Sequence, residues 1–315
     1  TTVNEGTLRL RDQGTGWNSS IGIGAGATLD AVGTGGTNRL GTGETMSGAG
    51  MFVKTGAGVV EFYNDTNTFS GLLDVREGIL RNNGNSCLWS GCTADMTVSN
   101  GATFDLYADD VYIDSLDGLG AIDNGFNQAQ TLVVGVANGD GSFSGVITNT
   151  SNALSIQKRG TGTLTFPGAT VNIAGALRLY SGTVVMDGAN YTSTSGATGD
   201  TMGDTAGSHA SLILRNDTVY NKTQVFWLGY GNSSTSVVDM SSGAMILANG
   251  LRAGNNAGTI NAFYHTGGAV VSSSEFDFAY GSATAYGYYL NAGGALPNGG
   301  WVQIGRSGST GIIRS

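Results

Sequence analysis

The stretch DLYADDVYIDSLDG carries five carboxylates close together, at Asp105, Asp109, Asp110, Asp114 and Asp117. Two chemistries use such a run: ligation of calcium by hard oxygen donors, and a carboxylate pair that cleaves a polysaccharide. Asp109, Asp110 and Asp114 are the metal candidates. Their spacing matches neither an EF-hand loop nor the glycine-aspartate calcium repeat. The competing expectation is a solvated acidic turn and strand edge, where charge discourages pairing with another chain.

The other reactive side chains are few. The histidines are His209 and His265, and no G-x-S-x-G elbow offers either of them an activated serine. Both are expected to be structural or exposed. The run NGDGSFSG at 138–145 has the glycines of a phosphate loop but neither the lysine nor a following helix. In CLWSGC, Cys87 and Cys92 offer too few ligands for zinc and are expected to form a local disulfide in an oxidising compartment. Aromatic residues crowd the C-terminal third. In TAYGYYLN, Tyr286 and Tyr288 point one way along a strand and Tyr289 the other, so at least one faces outward as a candidate for stacking on sugar rings. No cofactor is expected.

These side chains need a scaffold, and composition bounds it. The chain has 54 glycines and 2 prolines in 315 residues, 40% hydrophobic residues and only 12% charged ones. Abundant Thr, Val and Ile with glycine turns favour many short strands. No stretch shows the i, i+3, i+4, i+7 apolar pattern of a helix. A net charge of −9 with scattered basic residues argues against nucleic acid as a partner. No apolar run reaches the roughly 20 residues of a membrane helix.

Internal repetition then selects the architecture. VNEGTLRL (3–10), VREGILRN (75–82) and LYSGTVVM (179–186) share one pattern. KTGAGVVEF (54–62) and KRGTGTLTF (158–166) share another, with glycines at Gly56, Gly58, Gly160 and Gly162. Near the C-terminus Gly231, Gly254 and Gly281 mark one corner, and Gly243, Gly268 and Gly294 a second, in steps of 23 to 27 residues. Such steps hold two or three short strands and no helix, which is one rung of a β-solenoid. The expected fold is all-β, a parallel β-helix of about 25 residues per rung, with glycines supplying φ > 0 at the corners. Residues 1–190 and 225–315 are expected to be continuous solenoid. The polar run YTSTSGATGDTMGDTAGSHA suggests a loop or junction across 191–224.

The segment MFVKTGAGVVEFYNDTNTFSGLLDVREGIL (51–80) resembles the autotransporter-associated β-strand repeat of bacterial surface proteins. The resemblance rests on Lys54, Gly56, Gly58, Val60 and Phe62, the turn Asn67-Thr68-Phe69-Ser70-Gly71, and Val75, Gly78 and Leu80. The copy at Lys158 keeps the strand but lacks the turn. The resemblance implies a right-handed parallel β-helix on or outside a bacterial cell, with a structural or adhesive role. The expectation is a non-enzymatic stalk, filament or matrix segment, with a polysaccharide-binding or polysaccharide-cleaving module as the alternative. Its expected partners are further repeats or copies stacked end to end, and surface glycans. The chain opens in the second half of a repeat and closes on the start of another rung, so both ends are expected to continue.

Overall fold

Alternating side chains on a strand leave one face apolar, and a short strand can bury that face only by stacking on equivalents from other turns. This is what the chain does. The computed structural model describes residues 1–315 except 15–16, 42–43, 64–65, 84–90, 196–198 and 297–298. It is a β-solenoid of parallel strands, about 12 turns at roughly 24 residues per turn. Two compact units are distinguished, Thr1–Leu154 and Ser155–Ser315.

In the first unit, Thr28–Val32, Met51–Thr55, Leu72–Val75, Asp95–Val98 and Leu116–Gly118 stack in register. Leu29, Phe52, Leu73, Met96 and Leu116 thus form one buried column. A second column on another face runs Val60, Leu80, Phe104, Ile122 and Ile147. Equivalent side chains lie about 4.8 Å apart, so the columns close into a continuous core. On the outside of this second face, residues one position along make a charge ladder. Arg39 Nε lies 3.0 Å from Glu61, and Arg81 bridges Glu61 at 3.2 Å and Asp105 at 3.0 Å.

The second unit has three strands per complete rung. One face holds Leu177–Leu179, Asp200–Met202, Phe226–Leu228, Leu251–Ala253, Phe276–Phe278 and Val302–Ile304. The next holds Thr163–Pro167, Gly182–Asp187, His209–Arg215, Thr235–Met240, Ile260–His265, Tyr286–Asn291 and Thr310–Arg314. The third runs from Thr170–Ile173 through Asn190–Ser193, Val219–Lys222 and Ala244–Leu247 to Ala269–Ser272. The expected loop or junction across 191–224 is therefore corrected. Its small polar residues hide the alternation, yet Ala210, Leu212 and Leu214 are buried and stack on Val184 and Val238 and their neighbours.

The repeated lysine and glycines act together at a corner. Lys54 is fully buried and its Nζ donates to the carbonyl oxygens of Thr55 (2.9 Å), Gly56 (2.6 Å) and Glu77 (2.8 Å). Gly56 is left-handed, with φ 78°, and a Cβ there would lie 2.4 Å from the Gly33 oxygen. Lys158, also fully buried, donates to the Arg159 and Gly160 oxygens at the matching corner. Gly160, Gly243 and Gly268 are left-handed as expected. Gly58, Gly162 and Gly294 are not, which corrects the single reason assigned to all the corner glycines. Gly58 and Gly294 are needed for close approach instead: a Cβ on Gly294 would meet the His265 ring at 2.0 Å.

Candidate functional site: an outward strand face and two polar clusters

The acidic run is taken apart by the coil. Asp109 accepts the Asp110 N–H at 2.8 Å, Asp110 accepts Thr131 N–H at 2.6 Å, and Asp114 accepts Ala137 and Gly139 N–H at 2.7 and 2.8 Å. Asp117 accepts the Ser142 N–H at 2.9 Å. Four of these five side chains, counting Asp105 on Gly125 N–H at 3.0 Å, secure backbone on the following turn, about one rung away. Desolvation raises Asp109 above the usual carboxylate range, assisted by Asp110, against the Asp110 N–H that lowers it. Among the described residues no three His, Cys, Asp or Glu side chains gather as metal ligands would.

Cys92 is buried and, among the described residues, free, and burial pushes its thiol up to about 12. Cys87, its expected disulfide partner, lies outside the described residues. His265 is in the core, its Nδ1 2.9 Å from the Tyr289 hydroxyl, and burial holds its pKa below the usual value. Tyr289 itself is 1% exposed, among Phe263, Phe276 and Phe278, so it is corrected from sugar-binding candidate to core residue. Tyr286 and Tyr288 do face outward, both half-buried.

They belong to a broad outward face. In-register pairing lines up Thr163, Thr183, Ser211, Val237, Ala262, Tyr288 and Ile312 in one column, and His209, Thr235, Ile260 and Tyr286 in the next. Toward its C-terminal rungs the face is apolar and accessible: Ile260 is 54% exposed, and the exposed Tyr264 lies with its ring 6.0 Å from that of Tyr288. At its other end Thr183, His209, Ser211, Thr235 and Val237 line a hollow of about 360 Å³. A second hollow of about 390 Å³, between Arg159, Tyr180, Ser181, Thr205 and Ser208, borders residues of the first in the chain. The guanidinium of Arg159 lies 5.3 Å from the centre of the Tyr180 ring.

Two clusters join residues that no local motif connects. On the first face of this unit, the Arg252 guanidinium sits between the Trp227 ring (5.2 Å) and the Tyr280 ring (5.0 Å) and reaches Glu275 at 3.0 Å. Arg306 lies over Tyr280 at 5.0 Å and approaches Glu275 at 3.7 Å and Asp277 at 3.8 Å. Asp277 is buried, with neither carboxylate oxygen hydrogen-bonded among the described residues. Burial, then the charge of Glu275, pushes it up to about 6 against the pull of Arg306 and Arg252. The second cluster is inside the core, where Tyr191, Tyr220 and Lys222 surround Asp200. The only signal in the sequence for either cluster is the equivalence of positions in successive rungs. Comparison of the chain with family models, curated proteins and solved structures finds no match.

Proposed function

We propose that the chain is a non-enzymatic, extracellular structural and adhesive β-solenoid, a segment of a bacterial surface protein that meets glycans through the outward face of the second unit. The observation that carries this reading is the pair of in-register columns that place Tyr286 and Tyr288 beside Ile260 and Tyr264. An accessible apolar strip bordered by hydroxyls is a recognition surface by its chemistry: aromatic faces cover sugar rings, and hydroxyls such as Thr183, Ser211 and Thr235 exchange hydrogen bonds with sugar hydroxyls. The columns repeat at about 4.8 Å, which suits a polymer lying along the coil. The repeat at 51–80, with its resemblance to autotransporter-associated segments, supports the surface location. Polysaccharide binding thus joins the structural role as its adhesive component.

The test is binding of the purified chain to immobilised bacterial and host polysaccharides. The Tyr286→Ala/Tyr288→Ala variant should bind at least about tenfold more weakly, a loss of about 1.4 kcal/mol, with an unchanged far-UV circular dichroism spectrum. Failure of the native chain to bind any of the polysaccharides, or undiminished binding by the variant, would overturn the adhesive reading.

A further inference from the structure

The buried cluster at Asp200 is built for more than an ion pair. Register places Tyr191 against Tyr220 and Ser193 against Lys222 on the third face, and Asp200 enters from the first face of the same coil. All five side chains are fully buried. Asp200 Oδ2 accepts the hydroxyls of Tyr191 at 2.8 Å and Tyr220 at 2.6 Å, and Oδ1 accepts the Leu177 N–H at 2.9 Å. Lys222 Nζ donates to Ser193 Oγ at 2.8 Å, and Ser193 in turn donates to the Gly175 oxygen at 2.5 Å. Nζ stands 3.5 Å from Asp200 Oδ1, beyond the roughly 2.7–2.9 Å of a charge-assisted hydrogen bond. Oδ1 is bonded to Cγ, the carbon that an attacking amine must reach, so the amine and the carboxyl group are neighbours in the closed core.

We propose that Lys222 and Asp200 condense into an intramolecular isopeptide bond that covalently closes one turn of the solenoid. Asp200 begins the turn on the first face and Lys222 ends it on the third, so the bond joins the two ends of that turn.

The step balances without an oxidant or a second reactant. Transfer of one proton from the ammonium to the carboxylate leaves a neutral amine and a neutral acid. Burial favours those forms, lowering the pKa of Lys222 and raising that of Asp200, although each partner's charge opposes the shift of the other. The amine lone pair attacks Cγ and the C–N bond forms. Negative charge developing on Oδ2 is held by the two tyrosine hydroxyls, an arrangement of the oxyanion-hole kind. A second proton passes from Nζ to Oδ1, the C–Oδ1 bond breaks, and one water leaves. The amide nitrogen keeps a single hydrogen. The product replaces two buried charges, whose removal from water opposes folding, with one neutral amide.

The experiment is intact-mass spectrometry of the full chain, shown to be β-rich by circular dichroism, followed by peptide mapping. The expected result is a mass lower by one water than the sequence requires, with the loss carried by a branched product joining the peptides of Asp200 and Lys222. Lys222→Arg and Asp200→Ala should restore the full mass of their own sequences, and Tyr191→Phe should lower the cross-linked fraction. A folded native chain of full mass, which means an ion pair only, would overturn the proposal. So would a lost water that maps to any other position. The native protein decides the matter even if a variant fails to fold, and its result does not depend on glycan binding.

Discussion

Gly268 and Gly26 have the same backbone conformation, φ 79° in both, yet different surroundings. A Cβ on Gly26 would meet nothing within 4 Å, whereas one on Gly268 would lie 2.6 Å from the Gly243 oxygen of the preceding turn. The two positions separate backbone strain from steric conflict. Gly26→Ala should therefore cost about 1 kcal/mol, the scale of a left-handed non-glycine residue. Gly268→Val adds a collision with main chain that cannot move without breaking the ladder, and should cost clearly more. Denaturant melts of the two variants check the ordering; equal losses would mean that the corner relaxes around the new side chain.

At the scale of the element, the lysine motif explains how a tight corner can be buried. A turn leaves carbonyl groups that the strand ladder does not use, and a buried carbonyl without a partner costs about 1–3 kcal/mol. Lys54 meets three corner carbonyls with one ammonium group, on its own turn and the next: that of Thr55, which also accepts the Gly33 N–H, and those of Gly56 and Glu77. Burial lowers that ammonium to about 8, while Glu77 and Asp30 pull in the other direction. Lys54→Met keeps the length of the stem and removes the donor, so it should destabilise the first unit by about 2 kcal/mol or more. Arg9→Met is the comparison: its ion pair with Asp30, at 2.9 Å, is on a side chain 66% exposed and should be worth less than about 1 kcal/mol. Both are read from chemical denaturation, and equal effects would remove the capping role assigned to Lys54.

Over the whole molecule, stability should carry the mark of Asp277. Its folded-state pKa, about 6, lies above its ordinary 3.8, so the folded protein holds this proton more tightly than the unfolded chain does. Stability from this group is fully present below about pH 4 and is lost as the pH rises through 6. The neighbours that tune it are Glu275, which raises the pKa, and Arg306 and Arg252, which lower it. In Asp277→Asn the proton-linked term disappears. The difference in Tm between variant and native protein should therefore grow in the variant's favour from pH 4 to 7. A constant difference over that range would show that Asp277 does not titrate there.

The sequence by itself determined the strand-and-corner character of the chain. Alternation and turn glycines are local properties, and KTGAGVVEF and KRGTGTLTF report the same corner wherever they occur. The parallel solenoid followed because a repeat of about 25 residues with no helix leaves its apolar faces nowhere else to go. Alternation also separated Tyr289 from Tyr286 and Tyr288, but could not say which side was the core. Tertiary structure decided that, because inside and outside are set by the other two strands of the rung. It also decided which partners meet. The carboxylates at 105–117 lie together in the chain, but the coil sends four of them to separate backbone donors. Asp200 and Lys222, by contrast, are separated in the chain and brought together in the core. Register between turns depends on corner lengths that vary from one rung to the next, so a pattern read along the strand stops at the strand's end.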